Sequence, residues 1–484
     1  MPMPSIALDH PQDMPIYMRI SLGLIQQVRD GRLAPGSSLP SSRSFAQALG
    51  VNRKTVVQAY AELTAQGWLT SQGRQKTAVS SYLPDHDLPP AGAAPLAQPA
   101  NAAAFVFCPA PPEPLAIPTG PWIKLDEGSP DGRLFPVHLL VNAYRQASAR
   151  GVQLNQFQYR YPRGSPALRQ GIADMLRKER GMAVDAANIC ITRGSQMGIF
   201  LAMRILIEPG DAVLFEALSY APAVSAALSC GGQVVPVGLS SHGIDLDAVE
   251  RHCRSHRVKA IFLTPDHQFP TTITMPLEQR LRLLDLARRH DFAVIEDDYG
   301  HEHRFGATAL LPMASYAPDR VIHVGSLSRL LVPDLRLGFV VAPLDVVAAL
   351  AHHISLIDGM GSLLVENAAA ELFESGEVRR HVRKMNRVYH ARRDAFEVAL
   401  ADILGGHVDY RLPETGTAFW LRFRDPDLLD RIERNAHRAE LRFAPSRSFM
   451  VSPDADRGLR IGFASLSPEE AVIALRRMRR AASL

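Results

Sequence analysis

The first regular hydrophobic pattern in the chain has the spacing of an α-helix. Between Pro15 and Gly31, apolar side chains recur on one helical face, at Ile16, Ile20, Leu24, Ile25 and Val28. Gly31 stands where a glycine commonly ends a helix. The pattern therefore predicts an amphipathic helix over this stretch.

Two shorter helices are predicted next, separated by a glycine. A serine caps the first, which ends at Gly50, and Asn52 caps the second. The second helix begins with Arg53, Lys54 and Thr55. A short helix, a glycine turn and a helix with a basic first turn form a helix-turn-helix layout, which places those three side chains in the DNA major groove.

Residues 68–71 and 77–79 then read as two strands of a wing. The tip between them carries Arg74 and Lys76, which we expect near DNA phosphates. Residues 82–121 follow, rich in proline and alanine. Proline neither propagates a helix nor enters a central strand, so this stretch predicts a semi-extended linker.

From about Asp126 onward, short apolar runs alternate with amphipathic helical stretches. The predicted strands include residues 188–192, 212–216, 234–238, 260–263, 293–296 and 321–324. This alternation indicates an α/β fold with a mostly parallel sheet covered by helices on both faces. In such a sheet, ligands gather at the carboxyl ends of the strands.

Charge separates the N-terminal part from the rest of the chain. The whole chain has a formal net charge of +4, and all of that excess lies in residues 1–80, as expected of a segment that meets nucleic acid. No apolar run is long enough to span a bilayer, and we recognise no signal peptide. The four cysteines show no metal-ligand spacing. We therefore expect a cytoplasmic protein with reduced thiols and no metal site.

The strongest candidate site is the segment 323–339. An apolar strand runs into a glycine- and serine-containing turn with Ser326 and Ser328, which ends in Arg329, and Arg336 follows. Hydroxyl groups, exposed backbone N–H groups and fixed positive charge predict a phosphate-binding site. Ser195 and Gln196 follow another strand and glycine, at a predicted helix N-terminus, although such a turn is more often only a turn.

Other candidates follow neighbouring strands. Asp297 lies within three successive acids that need a positive partner, and Tyr299 comes directly after them. His267 and Tyr220 gain weight only from their surroundings. Arg460 lies inside an apolar strand and needs an anionic partner, which is either a ligand carboxylate or an internal salt bridge.

Taken together, these segments resemble the MocR/GabR subfamily of GntR-type regulators. The resemblance is carried by the Leu-Pro-Ser-Ser-Arg entry at 39–43, Thr-Pro-Asp-His-Gln-Phe-Pro at 264–270, Glu-Asp-Asp-Tyr at 296–299, Gly-Ser-Leu-Ser-Arg at 325–329 and Leu-Arg-Leu-Gly-Phe at 335–339. It implies a winged helix-turn-helix at 10–81, the linker at 82–121, and a fold-type-I aminotransferase-like domain at 122–484. That domain would contain a mostly parallel seven-stranded sheet and a smaller α+β subdomain at roughly 345–484.

The resemblance also implies partners and residue roles. The partners are promoter double-stranded DNA, a small anionic effector and a second copy of the chain, arranged head to tail. The implied DNA-contacting residues are Ser42, Arg43, Arg53, Lys54, Thr55, Tyr60, Arg74 and Lys76. In the effector pocket, Asp297, Tyr299 and Tyr220 would face the nitrogen, hydroxyl and face of the pyridoxal phosphate ring. Phosphate would be held by Ser195, Gln196, Ser326, Ser328 and Arg336, and a carboxylate by Arg460, with His267 and Arg329 nearby.

Arg329 departs from the aminotransferase pattern, in which a lysine at this position forms a Schiff base with the cofactor aldehyde. A guanidinium is effectively always protonated and cannot replace that amine. The chain contains six lysines, and none lies between Lys259 and Lys384. Three possibilities remain open for this site: it holds pyridoxal phosphate non-covalently, it holds another anionic ligand, or it is vestigial. Arg329 itself could pair with an anion or with Asp297. We favour an effector site that binds pyridoxal phosphate weakly or not at all.

The sequence thus predicts a transcription regulator whose aminotransferase-like domain senses a small anionic ligand and is not an active enzyme. One alternative is a pyridoxal-phosphate-dependent aminotransferase with a fused regulatory domain. Another is a constitutive repressor that uses the large domain only to dimerise.

Overall fold

A computed structural model describes residues 14–72, 76–84, 122–155, 161–306, 310–331 and 333–483, together with residues 4, 106 and 158. The chain divides into two compact units, residues 1–115 and 116–484. Arg74 and nearly all of the predicted linker at 82–121 lie outside the described residues. The domain boundaries proposed from the sequence therefore stay predictions.

The first unit is a small helical fold with a two-stranded wing. Its elements are α1 (Ile16–Arg29), α2 (Ser42–Leu49), α3 (Arg53–Ala65), β1 (Leu69–Gln72) and β2 (Lys76–Val79). Ser41 caps α2 and Asn52 caps α3, while Gly50 ends α2 in the left-handed conformation that glycine tolerates best. The three predicted helices and the antiparallel wing strands are confirmed, with small shifts at their ends.

The second unit contains eleven helices and fourteen strands among the described residues. Its helices are α4 (Val137–Gln153), α5 (Pro166–Arg180), α6 (Gly194–Leu206), α7 (Ala221–Ser229), α8 (Leu246–Ser255), α9 (Leu277–His290), α10 (Leu344–Ile357), α11 (Leu363–Glu374), α12 (Glu377–Leu404), α13 (Pro426–Asn435) and α14 (Pro468–Ser483). Its strands are β3 (Ile123–Lys124), β4 (Ile189–Thr192), β5 (Ala212–Glu216), β6 (Gln233–Val237), β7 (Leu239–Ser240), β8 (Gly243–Ile244), β9 (Val258–Leu263), β10 (Ala293–Asp298), β11 (Val321–Ser326), β12 (Gly338–Val341), β13 (Val408–Asp409), β14 (Ala418–Phe423), β15 (Leu441–Arg442) and β16 (Leu459–Gly462).

Seven strands form the central sheet, in the order β4-β12-β11-β10-β9-β5-β6. Only β12 runs antiparallel to its neighbours β4 and β11. The predicted strands and the mostly parallel seven-stranded sheet are confirmed, and helices cover both faces with buried aliphatic side chains. Because six strands share one direction, their carboxyl ends meet at one edge.

The sequence analysis missed β12, which it treated only as part of the phosphate motif. The apolar run from Gly338 to Val341 was the available signal. A Cβ on Gly338 would lie 2.5 Å from the backbone carbon of Gly194. Gly338 therefore lets β12 run directly beneath the loop that opens α6, at the ligand edge of the sheet.

A second core lies around the smaller sheet β13-β14-β16, packed with α12, α13 and α14. Arg460 belongs to β16, opposite Trp420 of β14. The predicted final helix is confirmed as α14, with the backbone N–H of Glu470 donating to Ser467 Oγ at its start. This core holds one wall of the candidate site in place.

Candidate functional site

Basic side chains occupy the first turns of α2 and α3 in the first unit. Arg43, Arg53 and Lys54 are exposed, and Thr55 is half-buried beside them. Asn52 fixes this end of α3 by accepting a hydrogen bond from the backbone N–H of Lys54 at 2.9 Å. The capping geometry thus presents exposed cations at the amino end of α3, where a recognition helix reads DNA.

The other predicted DNA contacts divide into three cases. Ser42 is half-buried in the first turn of α2, and Lys76 is exposed at the start of β2, paired in register with Gln72. Arg74 lies outside the described residues. The DNA-contacting roles of these three residues stay predictions, as do those of Arg43, Arg53, Lys54 and Thr55.

Tyr60 requires a correction. Only 7% of its surface is exposed, and its ring stacks on Phe45 with centroids 6.0 Å apart. Its hydroxyl donates to the carbonyl of Pro40 at 3.0 Å. Burial raises the pKa of Tyr60 above its ordinary value. Tyr60 is therefore a core residue that ties α3 to the segment before α2, and it is not available to contact DNA directly.

In the second unit, a cavity of about 350 Å³ opens at the carboxyl edge of the central sheet. Its lining includes nine of the eleven residues predicted for the effector pocket: Ser195, Gln196, Tyr220, Asp297, Tyr299, Ser326, Ser328, Arg329 and Arg336. Residues that are far apart in the sequence meet here because parallel strands end at the same edge. The lining also contains Ser129, Pro130, Pro222 and Phe269, which the sequence analysis did not select.

The three successive acids at the end of β10 have different surroundings. Glu296 accepts hydrogen bonds from the backbone N–H groups of Met313, at 2.7 Å, and Ala314, at 3.2 Å. Asp298 pairs with buried Arg180 at 2.7 Å, and this arginine, with neighbouring histidines, holds the pKa of Asp298 well below its usual range. Asp297, between them, lines the cavity.

Of these three acids, Asp297 is the one without a hydrogen-bond or ion-pair partner among the described residues. Its Oδ1 makes no hydrogen bond with any described residue. Burial, reinforced by the neighbouring charge of Asp298 and opposed by Arg329, raises the pKa of Asp297 to about 7. A buried carboxylate in this state gains most from a cationic partner. It is therefore positioned to receive a positively charged group of a ligand.

Arg329 crosses one wall of the cavity. Its guanidinium carbon lies 5.0 Å from the centre of the Tyr299 ring. Its Nη1 donates to the carbonyl oxygen of Gly128 and, at 3.0 Å, to Thr417 Oγ1. The Thr417 hydroxyl donates to the same carbonyl at 2.6 Å. Arg329 thus contacts neutral oxygen atoms, and the predicted alternative of a direct pair with Asp297 is wrong for this structure.

His267 and Arg460 lie behind the cavity wall. Arg460 is fully buried and donates to the carbonyls of Glu127 and Pro270, at 2.9 and 2.8 Å, and to His267 Nε2 at 3.0 Å. Since Nε2 accepts, Nδ1 of the neutral ring carries the proton. Burial, aided by Arg460, lowers the pKa of His267 well below its ordinary value. Neither side chain lines the cavity, which corrects their predicted location.

Tyr299 joins these buried groups to the cavity. Its hydroxyl donates to the carbonyl of His267 at 2.7 Å and accepts from Arg460 Nη2 at 3.2 Å. Burial raises the pKa of Tyr299 to about 12. Direct contact of Arg460 with a ligand carboxylate, or of the Tyr299 proton with a ring oxygen, would require these bonds to open. Both roles stay predictions.

The phosphate end of the cavity lies at the amino end of α6. Gly194 has φ of 78° and lies against the Arg336 guanidinium, whose Nη2 is 3.2 Å from a Cβ built on Gly194. Arg336 itself has φ of 51°, which is uncommon for a residue with a side chain. The backbone N–H of Ser328 donates to Ser326 Oγ at 3.3 Å. Hydroxyl groups, a helix N-terminus and a cation therefore surround this end.

Two of the residues that sequence reasoning missed, Gly128 and Thr417, lack a local motif. Gly128 lies 201 residues from Arg329, and Thr417 lies 88 residues away. Phe269 offered a usable signal, since it follows His267 in the turn after β9. Its ring meets Tyr220 edge-on, with centroids 5.4 Å apart. These contacts form an aromatic wall suited to a flat ligand.

Two family models match the chain. "Aminotransferase class I and II" matches residues 120–479, and "Bacterial regulatory proteins, gntR family" matches residues 16–79.

Among the described residues, no helix combines the length and the apolar character needed to cross a membrane.

Similar proteins include two named regulators. The chain is 28% identical to the probable rhizopine catabolism regulatory protein MocR of Rhizobium meliloti, over 96% of this chain and 93% of the relative. It is 31% identical to the transcriptional regulator TauR of Rhodobacter capsulatus, over 84% and 83% of the two chains. Among solved structures, α-aminoadipate aminotransferase LysN of Thermus thermophilus, complexed with N-(5'-phosphopyridoxyl)-L-leucine, has a TM-score of 0.68 at 28% identity, covering 75% of this chain and 92% of that one.

Proposed function

Because this chain belongs to the MocR-type regulators, in which a GntR helix-turn-helix precedes an aminotransferase class I and II domain, we propose that its large unit senses a small anionic ligand without turning it over. The winged helix binds promoter DNA, and the ligand changes how tightly it binds. We propose that two copies of the chain assemble head to tail.

One observation supports the proposal: Asp297, whose Oδ1 has no hydrogen-bond partner among the described residues, lines the same cavity as Arg329. We propose that Arg329 stands in place of the Schiff-base lysine. None of the six lysines, all of which lie within the described residues, lines that cavity. A site that keeps its charged groups but has no amine is suited to binding and unsuited to covalent amino transfer. The absence of an amine from this lining supports a protein that is not an aminotransferase.

The cavity fits part of pyridoxal phosphate. Arg336, Ser326 and the amino end of α6 would hold its phosphate, Asp297 its ring nitrogen, and Tyr220 with Phe269 would contact its ring. When bound to an aminotransferase, this cofactor supplies an aldehyde and an electron-withdrawing ring. No lysine is among the described residues that line the cavity, so any binding of pyridoxal phosphate there would be non-covalent.

DNA binding is tested with an Arg53→Ala variant of the full chain. A duplex selected by the wild-type protein from a random-sequence pool serves as the probe, and fluorescence anisotropy measures its affinity. We expect Arg53→Ala to weaken binding by about ten- to a hundredfold, as loss of one base-contacting arginine does. Arg32→Ala removes the same charge from the turn after α1 and should have a much smaller effect. Equal losses in both variants would contradict the assignment of α3 as the recognition helix.

Sensing is tested by repeating the titration with pyridoxal phosphate and with amino acids. A ligand that binds the chain and shifts the affinity for the duplex supports the proposal. Ligand binding without any shift would favour the constitutive repressor, in which the large unit only dimerises. Turnover of an amino donor by the purified chain would instead establish the aminotransferase alternative.

A further inference from the structure

The free edge of Arg329 is the part of the cavity that the proposed function leaves without a ligand group. Within the described part of the chain, both protein hydrogen bonds of this guanidinium come from Nη1. The guanidinium carbon lies over the Tyr299 ring, 5.0 Å from the ring centre. Nε and Nη2 therefore form an edge with unused donors, on a side chain that lines the cavity.

That edge has the geometry that recognises a carboxylate. Two parallel N–H groups of arginine donate to the two oxygens of a carboxylate, and such charge-assisted pairs are short and strong. Because Gly128 and Thr417 already hold Nη1, little side-chain freedom remains to be lost when the pair forms. An aldehyde or an alcohol offers one neutral oxygen and would use only part of this edge.

Asp297 supplies the complementary charge. It is 6% exposed, its Oδ1 has no partner within the described residues, and it lines the same cavity as Arg329. A ligand that carries both a cationic nitrogen and a carboxylate would satisfy these two side chains at once. The amino end of α6, with Ser326 and Arg336, would hold a third group, a phosphate.

We propose that the ligand is a phosphorylated aromatic nitrogen heterocycle whose ring carries a carboxylate where pyridoxal phosphate carries its aldehyde. Arg329 is then the residue that selects the oxidation state of that substituent, favouring the carboxylate over the aldehyde and the alcohol. This inference rests on the proposed function, since it names the ligand class of the same cavity.

The experiment compares three compounds that differ only at this substituent: phosphorylated pyridoxic acid, pyridoxal phosphate and phosphorylated pyridoxine. Isothermal titration calorimetry measures their affinities for the full-length protein. We expect the carboxylate compound to bind about ten- to a hundredfold more tightly than the alcohol, which is the effect of one hydrogen-bonded charge pair. The aldehyde should bind about as weakly as the alcohol.

An Arg329→Gln variant tests whether this residue sets the preference. Glutamine keeps a polar side chain and removes the charge, so the carboxylate should lose its advantage while the affinity for the alcohol changes little. Arg476→Gln, an exposed arginine on α14, is the matched control and should keep the wild-type preference. Thermal unfolding of both variants establishes that each is folded.

The inference and the proposed function fail in different ways. If the aldehyde or the alcohol binds as tightly as the carboxylate, or if Arg329→Gln retains the preference, the inference is wrong while the cavity remains a ligand site. If none of the three compounds binds the wild-type protein, both the inference and a site for pyridine phosphates are overturned.

Discussion

Arginine has different surroundings in the two units of the molecule. Arg53 is exposed in the first turn of α3, where the side chain is available to DNA. Arg180 and Arg460 are buried in the second unit and bonded to other protein groups. An exposed arginine is available to bind a partner molecule. A buried arginine instead forms its hydrogen bonds and ion pairs with neighbouring protein groups. Substitutions should therefore separate binding from stability in the first unit and couple them in the second.

The largest effect that sharpens this contrast is expected from Arg180→Ala. The substitution leaves buried Asp298 without its arginine partner, and breaking such a pair costs about 3–5 kcal/mol of stability. Denaturant unfolding of the full chain, followed through the transition of the large unit, measures this loss. Arg177→Ala, on the same helix, breaks exposed pairs with Asp174 and Asp185 and should cost less than about 1 kcal/mol. Equal losses would show that burial does not distinguish these arginines.

The next effect, visible through its pH dependence, is expected from Asp297→Asn. The raised pKa of Asp297, about 7 against 3.8, means that the folded state holds its proton more tightly than the unfolded state. The resulting stability is fully present below pH 3.8 and is lost as pH rises through about 7. The asparagine variant lacks this loss, so its stability relative to wild type should increase as pH rises between those values.

Unfolding free energies measured across that pH range test the prediction. Asp402→Asn, which replaces an exposed acid on α12, is the control and should run parallel to the wild-type curve. The same Asp297→Asn variant should bind a ligand with a cationic ring nitrogen more weakly, because the substitution removes the negative charge that would face that nitrogen. If the stability of Asp297→Asn changes with pH as that of the wild type does, a group other than Asp297 holds the proton more tightly in the folded state.

The sequence predicted the features that depend on interactions between residues close together in the chain. The helices of the winged unit depend on local caps such as Asn52 and on spacing within a few residues, so pattern alone located them. Asp297 and Arg336 were also found, because each lies beside a strand end or a turn with a local signature. Asp297 reaches the cavity because the parallel strands end at one edge, whereas Arg336 lies there because it precedes β12, whose antiparallel direction places its amino end at that edge.

The contacts of Arg329, Arg460 and Tyr60 could not be predicted in the same way. The partners of Arg329 lie 88 and 201 residues away, in segments with no motif. Arg460 looked like a carboxylate anchor because a lone cation in an apolar strand needs a partner, and carbonyls at Glu127 and Pro270 supply that need instead. Sequence position indicated the chemistry of these groups but not which neighbours would use their hydrogen bonds.

The smallest effect is expected from a substitution at Tyr60. This buried polar residue could be an exception to the contrast between exposed groups in the first unit and buried groups in the second. Its hydroxyl is buried against the carbonyl of Pro40, in a unit whose basic residues are otherwise exposed. Tyr60→Phe removes this hydrogen bond and should lower the stability of the winged unit by about 0.5–1.5 kcal/mol. Because the ring remains on Phe45, the affinity of the folded protein for its selected duplex should not change. Tyr17→Phe is the control, since Tyr17 is only half-buried on α1.

Thermal unfolding and anisotropy, measured on the same samples, test this last prediction. A drop in stability with unchanged DNA affinity supports the structural role of Tyr60, because the hydroxyl then acts only by fixing α3 against the segment before α2. A drop in affinity at a temperature where the variant is fully folded would return Tyr60 to the DNA interface. It would also show that buried groups in the small unit couple stability to binding as those in the large unit do.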